Sequence, residues 1–245
     1  MNPPHRLAQV VAFAVFALAS SSPAWLDDPG VVDLGVLEAW KGSKGWEAAR
    51  SVGLDPGNPK ALAAEPGEGG FYNGPTGRGP NLVSQEEFGD VALHVEFVVP
   101  KGSNSGVKFQ GVYEVQIFDS FGSTRKPSGR DSGGIYARSE EKPKYHQIDD
   151  GQAPSANASR RPGEWQVLDA TFLAPRFDAS GRKVDCARIS VKLNGQLVQD
   201  RVEVHSPTGS AWREPEKPTG PILLQGDHGP VAFRNLRARR LPPGP

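Results

Sequence analysis

Apolar and polar side chains alternate along much of the chain from about residue 82 onward, with the period of two that is typical of half-buried strands. The clearest run covers residues 91–99, in which every odd position is apolar, and Pro100 follows it. The alternation continues through residues 107–109 and 113–117. These segments predict neighbouring strands, each with one face in a core and the other toward solvent.

Further strands are predicted in later segments, at residues 134–137, 165–172, 188–193, 222–225 and 231–239. The dipeptide Asn194-Gly195 separates two alternating runs and predicts a two-residue hairpin, because both central residues of a type I′ turn need positive φ. The earlier part of the chain, residues 27–90, is rich in turn residues. Within it, only residues 36–49 have a helical pattern, which two glycines interrupt.

Eight or more short strands without alternating helices favour an all-β antiparallel sandwich or jelly roll over a parallel α/β fold. The strands of such a fold bury one face and leave the other open. We therefore expect functional residues at the outward positions of central strands and in the loops beside them.

The composition excludes several functions. The 245 residues contain 28 Lys and Arg against 28 Asp and Glu, so the chain lacks the basic excess that binds a nucleic-acid backbone, and we expect no nucleic-acid partner. The 29 Gly and 23 Pro indicate many turns and few long helices. A single cysteine, Cys186, excludes an intramolecular disulfide and a cluster of thiols around a metal.

The first 24 residues have the pattern of a signal peptide. Arg6 precedes an apolar run over residues 7–19, and small residues follow as far as Ala24. The run is shorter than the roughly 20 helical residues that span a bilayer, and an uncleaved membrane anchor is the alternative. We expect residues 1–24 to be removed on export. Residues 25–245 would then form one domain, periplasmic or secreted, with no stable membrane insertion.

The sharpest group of chemical residues lies around the end of one predicted strand. Glu114 and Gln116 are two positions apart, so they share a strand face. Asp119 would point to the opposite face unless a β-bulge at Ile117 and Phe118 reset the alternation. With that bulge, two carboxylates and an amide would line one groove, an arrangement suited to acid and base chemistry on a sugar. A strand with ordinary solvated polar side chains is the alternative.

Other polar residues are candidates for the same groove. A tight turn contains Asn104, a candidate for substrate binding, and leads to Lys108, which could donate to a substrate oxygen or lower the pKa of a carboxylate. A glycine-bounded turn holds Gln225, Asp227 and His228. His228 is a candidate acid or base because imidazole titrates near neutrality, and Asp227 could orient it. An exposed turn without chemistry is the alternative.

Arg234 and Tyr136 complete the candidate site. Arg234 could pair with Glu114 or Asp119, or bind substrate hydroxyls; a structural ion pair is the alternative. Tyr136 could stack on a pyranose ring, although core packing is the default role of a tyrosine in a strand.

Three further histidines bear on metal binding. His94, His146 and His205 are scattered along the chain without the spacing of metal ligands. We therefore predict no metal site and no cofactor.

Several motifs together resemble a known family. The chain reads Asn-Ser-Gly-Val-Lys-Phe-Gln-Gly-Val-Tyr-Glu-Val-Gln-Ile-Phe-Asp-Ser over residues 104–120 and Gly-Ile-Tyr over residues 134–136. The match continues through residues 174–178, 193–195 and 220–235. In this order, the motifs resemble the 3-keto-disaccharide hydrolase domain family over residues 33–241, almost all of the expected mature chain.

The resemblance implies a concanavalin A-like, two-sheet jelly-roll sandwich of the type found in LamG domains and glucanases. It also implies an exported bacterial enzyme that acts on a 3-keto-disaccharide or another oxidised glycoside, by 1,2-elimination, by hydration of the resulting glucal, or by both. For such chemistry we expect Glu114 or His228 to be the base and Asp119 the acid. Lys108, Gln116 and Arg234 would stabilise charge on the C3 oxygen.

Two other functions fit the same sequence. A lectin-like carbohydrate-binding module would use the polar row only to hold sugar hydroxyls. A conventional glycoside hydrolase is the other alternative, since the spacing of Glu114, Gln116 and Asp119 is similar to the bulged catalytic strand of laminarinase-like enzymes. Gln116 and Asp119 nevertheless differ from the acids of that strand.

Overall fold

Antiparallel strands account for nearly all of the regular structure in residues 24–242, the part of the chain that the computed structural model describes. The predicted signal peptide lies almost wholly outside these residues. Two 3₁₀ helices cover Ala24–Asp27 and Leu37–Ala39. The strands are β1 Val31–Asp33, β2 Trp40–Lys41, β3 Glu47–Asp55, β4 Asn58–Tyr72, β5 Leu82–Phe88, β6 Val91–Val98, β7 Asn104–Phe109, β8 Tyr113–Phe118, β9 Ser139–Glu140, β10 His146–Gln147, β11 Gln166–Leu173, β12 Arg176–Phe177, β13 Lys183–Asp185, β14 Ala187–Leu193, β15 Gln196–Val204, β16 Gly220–Leu224 and β17 Ala232–Arg240.

Two sheets form the body of the domain. The larger sheet has eight strands in the order β15-β14-β11-β6-β17-β4-β3, with β1 beside β17, and the smaller sheet has five in the order β2-β5-β16-β7-β8. Sequence neighbours are often not sheet neighbours, because the chain crosses between the sheets. This topology confirms the predicted all-β, concanavalin A-like two-sheet jelly roll.

The core lies between the two sheets. Val107 and Val115 of the smaller sheet and Leu93 and Leu168 of the larger sheet are fully buried in one cluster. Phe172 joins the layers, because its ring stacks on Phe109 of the smaller sheet with centroids 5.0 Å apart. The alternation of apolar residues in β6, β7, β8 and β11 is therefore the pattern of their core faces.

The predicted helix at residues 36–49 is wrong. Only Leu37–Ala39 is helical, as a single 3₁₀ turn, and the segment continues into β2 and the start of β3. Gly42 and Gly45 have φ of +81° and +89°, a left-handed conformation that an α-helix cannot contain. The tryptophans of this segment are buried in the core instead.

Residues 27–90, which the sequence indicated only as rich in turns, contain the longest hairpin of the domain. Its strands β3 and β4 pair with register shifts near Ala49, and β3 is an edge strand of the larger sheet. Alanine, glycine, glutamate and proline are common in this hairpin, and they are poor strand formers. Such residues are tolerated because β4 pairs with β17 only at Phe71 and Tyr72, so most of the hairpin has a single hydrogen-bonded neighbour.

The hairpin predicted at Asn194-Gly195 is confirmed. Asn194 and Gly195 have φ of +52° and +84°, and they connect β14 to β15. By contrast, the segment predicted as a strand at residues 134–137 forms only isolated bridges, in which Ile135 pairs with Val115 and with Gln152. In residues 24–242, no helix is long and apolar enough to cross a membrane.

Candidate active site

The outer face of the smaller sheet carries a polar groove. Lys108 of β7 lies opposite Glu114 of β8. On the other side of Glu114, the Tyr136 amide donates to its carbonyl oxygen. Two positions further along the same strand face, Gly106 of β7 lies opposite Gln116 of β8. The carbonyl oxygen of Gly106 accepts from the backbone amide of Gln225. The loops around this face cover Glu114 and Gln116, so both side chains are buried although they point away from the core.

Glu114 is the buried carboxyl group of the groove. Its Oε2 lies 3.0 Å from Lys108 Nζ, and burial raises its pKa while the Lys108 and His228 cations lower it. The net shift is upward. A Cβ atom on Gly106 would lie 2.5 Å from Glu114 Oε1, so the glycine leaves the space in which this carboxyl group sits. The arrangement is that of a general base held beside a cation.

Thr208 fixes the backbone at this position. Its hydroxyl group accepts from the Glu114 amide at 3.0 Å and donates to the Val112 carbonyl oxygen at 3.0 Å. The backbone that carries Glu114 is therefore bonded to Thr208 as well as to its neighbours in the sheet. Sequence reasoning missed Thr208, because nothing in its local sequence indicates a long-range contact.

A cavity of about 510 Å³ opens over Gln116, two residues along β8 from Glu114, although Glu114 itself does not line it. Three predicted substrate-binding residues, Asn104, Gln116 and Tyr136, line it, together with Arg130 and Asp150. Gln116 Nε2 donates to Asn104 Oδ1 at 3.1 Å, while Gln116 Oε1 is buried with no hydrogen-bond partner among the described residues. The volume is within the range of pockets that hold small molecules. An unpartnered buried amide oxygen is suited to accept from a ligand hydroxyl.

Tyr136 forms one wall of this cavity, and its hydroxyl group contacts that of Tyr145 at 2.7 Å. Burial, the hydrogen bond to Tyr145 and the Glu114 carboxylate raise the pKa of Tyr136. Its hydroxyl group therefore remains protonated at neutral pH and can donate to a ligand. Sequence reasoning identified Tyr136 but not Tyr145, which a distant turn brings next to it.

The turn after β16 brings His228 and Asp227 to the groove. His228 Nδ1 lies 2.5 Å from Asp227 Oδ1, and both side chains are half exposed. The backbone oxygen of Asp227 accepts from Arg78 at 2.9 Å, which fixes the turn. Gln225, from the same turn, has a buried Oε1 without a partner among residues 24–242. An imidazole oriented by a carboxylate is therefore available beside Glu114.

The bulge predicted at Ile117 and Phe118 is absent. Strands β7 and β8 pair in one continuous register from Phe109 and Tyr113 to Asn104 and Phe118, so nothing resets the alternation before Asp119. The Asp119 carboxylate instead accepts from the Gly102 amide at 2.9 Å. It holds the turn before β7, and the row of two carboxylates and an amide expected from the sequence does not form.

Arg234 lies on the larger sheet. Its Nε donates to Glu96 Oε2 at 2.7 Å, and its guanidinium group is 4.0 Å from the centroid of the Trp165 ring. Neither Glu114 nor Asp119 is its partner, because β17 belongs to the other layer of the sandwich. Arg234 therefore forms a structural ion pair, which the sequence analysis gave as the alternative to a role in the groove.

The structure places His205 beside two other groups that can bind a metal ion, which its spacing along the chain did not indicate. His205, Cys186 and Glu203 each place one ligand atom within 4.8 Å of the others. They are brought together by the antiparallel pairing of β14 and β15. A sequence scan for closely spaced histidines and cysteines cannot detect a cluster whose members lie on two strands.

The protein is a two-sheet jelly roll with a polar groove and a buried carboxyl group on one face, and its family match supports a carbohydrate-active function. The family model for the 3-keto-alpha-glucoside-1,2-lyase-like domain matches residues 33–239. The chain belongs to this family. The resemblance inferred from its motifs is thereby confirmed.

Solved structures from Parabacteroides distasonis ATCC 8503 are similar to this chain. One candidate glycosyl hydrolase is 26% identical, with a TM-score of 0.59 over 87% of this chain and 84% of that chain. A second is 15% identical, with a TM-score of 0.56 over 91% of this chain and 99% of that chain, and its likeness is one of fold alone. No curated protein matches the chain.

Proposed function

We propose that this protein cleaves 3-keto-glycosides by 1,2-elimination and hydrates the product, so that the net reaction is hydrolysis of a 3-keto-disaccharide. Family membership supports the reaction class. The observation that carries the proposal is Glu114, a buried carboxyl group with a raised pKa beside Lys108. It shares a strand face with Gln116, which lines a sugar-sized cavity.

Glu114 is the proposed base. The ketone at C3 acidifies the hydrogen at C2, and the Glu114 carboxylate takes this proton, leaving an enolate over C2, C3 and the C3 oxygen. A pKa raised by burial brings a carboxylate closer to the operating pH, where it is a stronger base than a solvated glutamate. The Lys108 cation opposes this shift and so favours the ionised form of Glu114.

His228 is the proposed acid. As the enolate collapses, the C1–O bond breaks, and the leaving glycosidic oxygen takes a proton from the imidazolium group. Asp227 at 2.5 Å orients the ring. Asp119, the acid expected from the sequence, is less suited because its carboxylate binds the Gly102 amide and does not share the strand face of Glu114 and Gln116.

Donors on the same face stabilise the enolate. Lys108 Nζ and the Tyr136 hydroxyl group flank Glu114 and carry protons that the C3 oxygen can accept. Such preorganised donors stabilise charge that develops only in the transition state. Hydration of the glucal would use the same two groups in reverse: His228 would take a proton from water as it attacks C1, and Glu114 would return one to C2.

The test compares one substrate with its unoxidised parent. The purified protein is incubated with a 3-keto-disaccharide and with the parent disaccharide, and the Glu114→Gln variant is assayed beside it. We expect cleavage of the oxidised sugar only, and a loss of about 10²-fold to 10⁴-fold in kcat on Glu114→Gln, because the amide retains the shape but cannot take a proton. Glu65→Gln, on the exposed face of β4, is the matched control.

Each other outcome contradicts the proposal in a different way. Cleavage of the parent sugar would indicate a conventional glycoside hydrolase, and binding without turnover would indicate a carbohydrate-binding module. If Glu114→Gln retained nearly the original rate, the reaction class could stand but Glu114 would not be its base.

We also propose that the enzyme is exported, with residues 1–24 removed and residues 25–245 acting as one domain. The apolar run and the small residues that follow it support this proposal. Amino-terminal sequencing of the protein recovered from its own cells is the test, and a first residue near Trp25 is the expected result. A chain that retains Met1 in the membrane fraction would contradict it.

A further inference from the structure

A cluster of metal-ligating side chains lies away from the proposed active site, at the ends of β14 and β15. Cys186 immediately precedes β14 and His205 immediately follows β15, and the neighbouring residues Ala187 and Val204 are paired across the two strands. Glu203 is two residues before His205, so both point to the same face of β15. One thiol, one imidazole and one carboxyl group therefore meet at one end of the β14–β15 pair, with His205 and Glu203 exposed to solvent.

Two of the three distances between ligand atoms match those around a tetrahedral metal ion, and the third is below 4.8 Å. Cys186 Sγ is 3.4 Å from His205 Nδ1, and His205 Nδ1 is 3.4 Å from Glu203 Oε1. A tetrahedral zinc ion with ordinary bond lengths separates a sulfur and a nitrogen ligand by about 3.5 Å, and a nitrogen and an oxygen ligand by about 3.4 Å. An ion could therefore enter with little movement of the backbone.

The surroundings leave the three donor atoms available. The second oxygen of Glu203 lies 3.4 Å from Arg188, which orients the carboxylate and leaves Oε1 for a metal. Arg188 is also bonded to Asp185, and the nearby Lys183 to Glu216, so both cations have acidic partners of their own. Glu203 and His205 line a cavity of about 250 Å³, through which water can reach the fourth position.

We infer that Cys186, Glu203 and His205 form a binding site for a divalent transition-metal ion, with zinc the best match to the sulfur, nitrogen and oxygen donor set. The site has three protein ligands and an open position for water. It is independent of the proposed function, because none of its ligands belongs to the groove on the smaller sheet.

Binding at this site exchanges a proton for the metal. The thiolate is the form of cysteine that binds a metal ion, and in the free protein the Cys186 sulfur lies within hydrogen-bond distance of His205. When the sulfur–metal bond forms, the thiol proton leaves to solvent, and no electron transfer is involved.

The experiment uses the full chain, stripped of metal and kept reduced with a phosphine, and titrates it with Co²⁺ and then Zn²⁺. We expect Co²⁺ to produce a near-ultraviolet thiolate-to-cobalt charge-transfer band, which Zn²⁺ then abolishes. Cys186→Ser should remove the band, and His205→Gln should weaken metal binding by about tenfold or more. His146→Gln, an exposed histidine beside another glutamate, is the control and should bind as the original protein does.

Two results would overturn the inference. One is the absence of the charge-transfer band from the folded original protein in excess Co²⁺. The other is unchanged Zn²⁺ affinity in Cys186→Ser, which would place the metal elsewhere. Circular dichroism of each variant separates loss of a ligand from loss of the fold.

Discussion

At the scale of single residues, the chemical properties of Glu114 depend on spatial neighbours that the sequence around it does not identify. The period-two pattern places it on one face with Gln116, and this could be predicted from the sequence. Its burial depends on loops from distant parts of the chain, and its position depends on the missing side chain of Gly106. The raised pKa follows from that burial, so it could not be predicted from the strand alone.

Replacement of Lys108 by methionine should raise the pKa of Glu114 further. The Lys108 cation now lowers that pKa, so its removal leaves burial unopposed by the closest positive charge. Because the base acts only when ionised, the acidic limb of the kcat/KM profile should move to higher pH by about one unit or more. A titration of the Glu114 carboxyl carbon by NMR gives the same pKa without an assay.

Lys108→Arg is the control for this substitution, because it keeps the positive charge and should leave the limb close to its original position. A limb that moved to lower pH in Lys108→Met, or did not move, would contradict the role of the ion pair.

At the scale of elements, local turn chemistry was a better guide than strand propensity. The Asn194-Gly195 dipeptide determines its own hairpin because positive φ is a property of those two residues. The β3–β4 hairpin lacks such a signal: its residues are poor strand formers, and pairing with β17 holds it in the larger sheet. The register of β14 and β15 is likewise non-local, since its irregularities bring His205, rather than Glu203, opposite Cys186.

Gly195→Ala should destabilise the β14–β15 hairpin. Gly195 has a φ of +84°, where an alanine side chain crowds the following carbonyl group, so the free energy of unfolding should fall by about 1 kcal/mol. Urea denaturation measures the change. Gly195→Asn, which tolerates this conformation better, should recover part of the loss, and equal stability of Gly195→Ala and the original protein would exclude strain at this turn.

At the scale of the whole molecule, the packing of two sheets decides which polar residues can meet. Arg234 and Glu114 are both outward-facing, yet they lie on different sheets and therefore on opposite sides of the sandwich. Sequence alternation shows that a residue points outward but not which sheet carries it, because outward positions have the same pattern in both sheets. The same packing buries Phe172 against Phe109 and Tyr113 and so holds the layers together.

Phe172→Ala should cost about 3–5 kcal/mol of unfolding free energy, because it removes a fully buried ring and leaves a cavity between the sheets. Chemical denaturation measures this loss. Phe121→Ala is the matched control: its ring is 46% exposed, so the loss should be well under that of Phe172→Ala. Similar losses in the two variants would mean that the contact between the sheets is not the main contribution of Phe172.

The sequence by itself determined the fold class, the family and the face shared by Glu114 and Gln116, because periodicity, turn residues and motif order are local properties of the chain. Only the tertiary structure decided that Glu114 is buried beside Lys108, that Asp119 binds a turn, and that Arg234 belongs to the other sheet. It also brought Cys186 and His205 together. These outcomes depend on register, loop closure and sheet packing, each of which joins residues that are distant in the chain.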